Sequence, residues 1–139
     1  MKLVLDASVA LAWVFERSVA EERSLADSLL DPALSWQFLV PPLWHIEVAN
    51  GLLVGRRRGL LQEALAVNFL HRLYCLPITT DKTDHGLQGR QAFALGQSSG
   101  LTAYDACYLD LALREGAMLA TFDRQLQAAA RKAGARLLE

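Results

Sequence analysis

The chain has 139 residues, of which 53% are hydrophobic and 21% charged. That is the length of one domain, able to bury roughly two thirds of its unfolded surface, and the balance excludes a disordered segment. Lys and Arg number 14 against 15 Asp and Glu, a net charge of -1, so no global basic excess marks a nucleic-acid binder and any such role rests on local placement.

Lys2 opens an apolar segment, Leu3-Val4-Leu5, with no polar alternation, as in a strand buried on both faces of a parallel sheet. Asp6 ends it, and a helix is expected from Ala7 to Phe15. Asp6 also interrupts any signal-like segment, and no stretch reaches the ~18 apolar residues of a membrane span. A soluble, cytoplasmic protein without membrane association is expected. Val19, Leu25, Leu29 and Leu30 give Ser18 to Leu30 an amphipathic helical pattern that Asp31-Pro32 closes. Phe38 to Val40 is a second strand. A helix follows from Leu43 to about Val54, after Pro41-Pro42 and before Gly55 and Arg56-Arg57-Arg58-Gly59.

Leu60 to Leu73 is a further helix, with Leu61, Leu65, Phe69 and Leu73 at four-residue spacing. Leu76 to Thr79 is a third strand, its Pro77 hinting at an edge. Asp81 is an N-cap for a helix to about Gly96, and Gln97-Ser98-Ser99-Gly100 reads as loop. Thr102 caps a helix from Ala103 to Glu115, which Gly116 stops. Ala117 to Thr121 is a fourth strand, Asp123 opens a helix to about Ala133, and Ala135 to Leu138 is a short final strand. Cys75 and Cys107 match no metal or redox spacing and sit among apolar residues, so buried reduced thiols are expected. Alternating strands and helices, with no repeat or linker, imply one α/β/α domain over residues 1–139, its mainly parallel sheet built of four to five short strands.

Four acids stand near strand-to-helix connections, the edge where open α/β sheets place ligands: Asp6, Glu47, Asp105 and Asp123. Asp105 fits least easily, because its helix precedes the fourth strand and would ordinarily start at the opposite edge. Four gathered carboxylates would repel one another unless a hard cation joined them. Oxygen-only donors favour Mg²⁺ or Mn²⁺, and such a site suits phosphodiester hydrolysis. No Cys/His set for zinc is present. Each acid also has a structural reading: Asp6 and Asp123 as helix caps, Asp105 in a capping box with Thr102, Glu47 on a solvent face. Asp110, about 140° around the helix from Asp105, should face elsewhere. Asp31, Asp81 and Asp84 read as turn or cap residues, and His45, His71 and His85 as surface or packing residues.

The motifs Leu5-Asp6-Ala7-Ser8, Glu47-Val48-Ala49-Asn50, Leu101-Thr102-Ala103-Tyr104-Asp105-Ala106 and Leu119-Ala120-Thr121-Phe122-Asp123-Arg124-Gln125-Leu126 occur in that order. Together they resemble the PIN-domain nucleases, especially the VapC-type toxins of toxin–antitoxin pairs, over essentially the whole chain. The resemblance implies an endoribonuclease with Asp6, Glu47, Asp105 and Asp123 around Mg²⁺, and a helix that does bring Asp105 to the site. It implies supporting roles for Ser8, Asn50 and Thr121, a homodimer, and a small antitoxin partner. Trp13, Tyr104 and Leu52-Leu53-Val54 are candidates for the exposed apolar surface such partners need. The Arg run at 56–58 either complements a helix terminus or contacts RNA backbone. A haloacid-dehalogenase-like phosphatase would need a second acid where Ser8 stands. A non-catalytic PIN-like module binding RNA or protein is the remaining alternative.

Overall fold

Leu3, Val4 and Leu5 are each fully shielded from solvent. Successive strand residues point to opposite faces, so the first strand, β1 (Lys2–Leu5), is covered on both sides, as its uninterrupted apolar run requires. The computed structural model describes all residues, 1–139. β1 pairs in parallel with β2 (Gln37–Val40), Leu3 opposite Phe38. Its other neighbour, also parallel, is the last strand, in which Leu119 lies opposite Val4.

In chain order the remaining elements are α1 (Ala7–Leu11), α2 (Ala20–Ser28), α3 (Leu43–Arg57), α4 (Glu63–Leu73), β3 (Ile78–Thr80), α5 (His85–Ser99), α6 (Ala103–Glu115), β4 (Met118–Ala120) and α7 (Arg124–Ala133). The sheet order is β3-β2-β1-β4, all neighbours parallel. All four strands therefore end at one edge, immediately before Asp6, Pro41, Asp81 and Thr121. The expected fifth strand, Ala135 to Leu138, is reduced to an isolated bridge between Leu119 and Leu137. The three-layer parallel architecture expected of the sequence is present, with four strands.

Several boundaries differ from expectation, each for a local reason. α1 ends at Leu11, and the chain continues to Phe15 through tighter turns such as Ala12 N–H to Val9 O. α2 begins at Ala20 rather than Ser18, and only Ala26 within it is buried; Leu29 is buried just beyond, while Val19 and Leu30 stay exposed. α3 runs on through Arg56 and Arg57, whose charges complement its carbonyl end. α4 starts at Glu63, and its buried face is Ala66, Phe69 and Leu73, with Leu65 outside. The cap of α5 is Asp84, whose Oδ2 accepts from Leu87 N–H at 3.0 Å, and not Asp81. Cys107 is buried as expected, but Cys75 is exposed in the turn after α4. Trp44 is buried, whereas Trp13 is half-buried, edge-on to Phe38 with its indole N–H on Ala26 O at 2.7 Å.

The Gln97-Ser98-Ser99 segment is helical rather than loop, completing α5 up to Gly100, which takes the left-handed conformation at φ 70°. Three residues then separate α5 from α6, and the two helices pack closely. Gly96 makes that approach possible, because a Cβ there would stand 2.9 Å from the Leu101 carbonyl oxygen. In an open helix, Gly to Ala gains up to about 1 kcal/mol. Here the added methyl meets backbone, and the overpacking should outweigh that gain. Gly96→Ala is expected to destabilise the protein by about 1–3 kcal/mol, read as a lower urea midpoint with unchanged slope.

Candidate active site

Asp6 lies at the carboxyl end of the central strand, and its backbone N–H continues the ladder to Ala120 O at 3.0 Å. The residue is 6% exposed. It occupies the N-cap position of α1, yet its side chain caps nothing there. Its Oδ2 instead accepts two hydroxyl bonds, from Ser8 Oγ at 2.7 Å and from Thr121 Oγ1 at 2.6 Å. Those hydroxyls are themselves held: Ser8 Oγ accepts from Phe122 N–H, and Thr121 Oγ1 accepts from Asp123 N–H at 3.0 Å. Both converge on one oxygen and leave Oδ1 without a hydroxyl donor.

Asp123 follows Thr121 by two residues and is also the N-cap of α7, its Oδ1 accepting from Leu126 N–H at 2.8 Å. Asp105 stands in the first turn of α6, where Thr102 Oγ1 accepts its backbone N–H at 3.1 Å. The capping reading of Asp105 is thus half correct: the threonine caps, and the carboxylate remains free of that bond. α6 starts beside Asp6 and ends with Glu115, which pairs at 2.8 Å with Lys2 at the opposite end of β1. The helix therefore runs against the strand direction, which brings Asp105 to the carboxyl edge despite its place before β4. Glu47 comes from the first half of α3, and its Oε1 accepts a bond from the Tyr108 hydroxyl at 2.5 Å.

Asp6, Glu47 and Asp105 each feel the charge of neighbouring acids. Burial pushes the pKa of Asp6 upward against its two hydroxyl bonds, and the Asp123 charge adds to that push. Burial likewise raises Glu47, opposed by the Tyr108 bond and reinforced by Asp6 and Asp105. Burial, then Asp123 and Asp6, lift Asp105 from 3.8 to about 6. No cation enters any of these balances, so the site is an uncompensated negative cluster.

The remaining sequence candidates fall around it. Asn50 is exposed on α3, one turn beyond Glu47, and hydrogen-bonds to none of the four carboxylates. Asp110 faces away, as expected, and is bound by Arg114 Nε at 2.8 Å. The same guanidinium reaches Asp81 at 2.7 Å. Burial opposes ionisation of Asp81, but the Arg114 and Thr83 hydrogen bonds outweigh it and hold its carboxyl below 3.8. Asp81 is thus a half-buried ion-pair member in a turn, not a helix cap. His45 is exposed, with Nε2 2.8 Å from Thr80 Oγ1. Arg56, Arg57 and Arg58 are exposed at the end of α3. Tyr108 was not singled out from the sequence; its place three residues after Asp105 was the available signal.

The donor set suits a hard divalent cation: carboxylate oxygens only, one of them on a buried acid with no cationic partner. No three His, Cys, Asp or Glu side chains are already gathered as an ion-holding group. Mutual repulsion opposes a closer cluster while the charges are uncompensated.

Comparison with known proteins bears on the family and the fold. The PIN domain family matches residues 3–132. Ribonuclease VapC3 of Pyrobaculum aerophilum is 41% identical over 127 residues, covering 91% of this chain and 92% of that protein. The chain belongs to the PIN-domain family, as a member of its VapC type. Two solved structures share the fold. The crystal structure of PAE2754 from Pyrobaculum aerophilum superposes with a TM-score of 0.69 at 23% identity, covering 99% of this chain and 92% of that one. That of FitAcB from Neisseria gonorrhoeae gives 0.64 at 16% identity, covering 99% and 96%.

An acid whose pKa is raised by folding costs stability above that pKa, and the cost disappears as pH falls through it. The cation-free protein should therefore melt at a higher temperature at pH 5 than at pH 7, with Asp105 turning over near 6. Asp81, shifted the other way, opposes this only at lower pH. Asp105→Asn keeps the Thr102 backbone cap and removes one repelling charge. After discounting for partial exposure and the lost helix-dipole term, it should stabilise the EDTA-treated protein at pH 7 by about 1 kcal/mol, or roughly 3 °C by calorimetry.

Proposed function

We propose that the chain is a Mg²⁺-dependent endoribonuclease, the toxin of a type II toxin–antitoxin pair, acting in the cytoplasm as one PIN-like unit over residues 1–139. The observation that carries this reading is the uncompensated carboxylate cluster at the sheet's carboxyl edge, around buried Asp6. VapC-type membership supports RNA as the substrate, since the 41% identical relative bears the name ribonuclease.

Asp6, Glu47, Asp105 and Asp123 would hold the cation, Mg²⁺ or Mn²⁺ in its place. When bound, such an ion polarises the phosphodiester and acidifies a water. The chain's own residues supply orientation. Ser8 and Thr121 fix Asp6 through Oδ2, and Oδ1, free of hydroxyl donors, would face the cation. Thr121 also holds the Asp123 backbone, so one hydroxyl sets the spacing of two acids. Asp123 commits Oδ1 to α7 and keeps Oδ2 to accept a proton from, or orient, the attacking water. Asn50, exposed one turn from Glu47, would assist from the rim by hydrogen-bonding substrate or a bound water. Arg56, Arg57 and Arg58 offer cations to an RNA backbone that the acids repel.

A homodimer and an antitoxin partner complete the reading. Tyr104, 67% exposed, and Leu53, 51% exposed, offer apolar surface for them; Leu52 is buried and does not.

Purified protein should cut cellular RNA into discrete fragments in Mg²⁺ or Mn²⁺ and not in EDTA. Asp6→Asn removes a buried charge while leaving a polar group of the same shape, so it should fold at least as stably as wild type. Its cleavage rate should fall by at least about a hundredfold, because losing even an outer partner of a metal ligand costs ten- to hundredfold. Undiminished cleavage by Asp6→Asn would sink the site assignment. A folded chain that neither cuts RNA nor takes up Mn²⁺ would be a non-catalytic binding module.

A further inference from the structure

Tyr108 is fully buried, one turn along α6 from Asp105 and on the same helix face. Its hydroxyl donates a hydrogen bond at 2.5 Å to Glu47 Oε1, across 61 positions of sequence, and the Ala7 backbone N–H lies on its acceptor side. A phenol in a core brings a polar atom that must find a partner. Phenylalanine would fill nearly the same volume without that demand. The partner here is a carboxylate that repulsion drives away from the site: Asp6 and Asp105 both press on Glu47. Glu47 is only half-buried, with Ile46 beside it 72% exposed. Its flexible side chain therefore has an outward alternative in water, away from the other acids.

We propose that Tyr108 is the positioning residue of Glu47, holding Oε1 so that the carboxylate stays turned toward Asp6 and Asp105 and presents Oε2 to a divalent cation. This rests on the metal-nuclease reading and deepens it. The bond also joins two ligand-bearing helices, since α6 carries Asp105 and α3 carries Glu47. Burial and the surrounding negative charge push the Tyr108 hydroxyl far above its ordinary pKa of 10.0, so it remains a donor across the working pH range. Outer partners of this kind change metal affinity by orienting the ligand that touches the ion.

The test is Mn²⁺ binding to the full chain, followed by electron paramagnetic resonance of the free ion, in wild type, Tyr108→Phe, Glu47→Gln and the double variant. Tyr108→Phe should weaken Mn²⁺ binding by about tenfold or more, with its melting temperature in EDTA close to that of wild type. Added to Glu47→Gln, it should cost nothing further, because its effect passes through Glu47. A Tyr108→Phe protein that binds Mn²⁺ as tightly as wild type overturns the positioning role and leaves the metal site standing. An equal loss in the Glu47→Gln background also overturns it, since the effect would then be general softening. No Mn²⁺ uptake by wild type overturns both readings together. If Tyr108→Phe does not fold, the ¹³Cζ signals of wild type and Glu47→Gln decide. The chain has three tyrosines, so Tyr74→Phe and Tyr104→Phe assign the Tyr108 line. That line should move on Mg²⁺ addition in wild type and stay still in Glu47→Gln; a line unmoved in wild type overturns the proposal.

Discussion

A carboxylate at the end of the most buried strand is an expensive thing to fold around. Removing an ionised group from water costs several kcal/mol unless it is paired or well hydrogen-bonded. Asp6 has no cation beside it, and it is made tolerable by two hydroxyls fixed on the same oxygen. One hydroxyl comes from the first turn of α1 and the other from the residue after β4, so the charge is met by two separate connections of the fold. The surrounding apolar core, with Leu3, Val4, Leu5 and Leu119 all fully buried, supplies the stability that lets this edge remain strained in charge.

α6 is the second organising element, because one helix performs several tasks along its length. Its start delivers Asp105, its middle buries Tyr108 and Leu109, and its last turns pair Arg114 with Asp81 and Asp110. Arg114 meets two acids at the flank of the molecule, whereas the acids at the head of the same helix meet none. Charge is neutralised where it would only weaken the fold and left bare where a cation can act. The close approach of α5 at Gly96 keeps this helix seated.

Much of this was legible in the residues. The unbroken Leu3-Val4-Leu5 run identifies a doubly covered strand, and the four acids stand out as a set from their places near strand-to-helix connections. The position of Asp105 could not be derived from topology alone, because the direction of α6 depends on how two consecutive helices share one strand-to-strand connection. Motif resemblance supplied what periodicity could not. The Gln97-Ser98-Ser99 stretch read as loop because its side chains favour turns, and packing of α5 on α6 overrode that preference. Asp81 looked like a cap because its true partner, Arg114, lies 33 positions away. Spacing puts Tyr108 on the Asp105 face of its helix, but its partner Glu47 lies 61 positions away and leaves no local trace.

The two borders of the sheet are unequal. β4 is closed off by the chain's own tail, through the bridge from Leu119 to Leu137 and the amide of Leu138. β3 has no strand on its outer side, yet it is only three residues long, and the N–H of Ile78 is already taken by the Leu76 carbonyl at 2.8 Å. A stray extended peptide arriving there would find too few unpaired backbone groups to anchor it. Such brevity is a common protection of open β-edges. A sheet so heavily apolar at its centre thus presents a border with little for another chain's backbone to pair with.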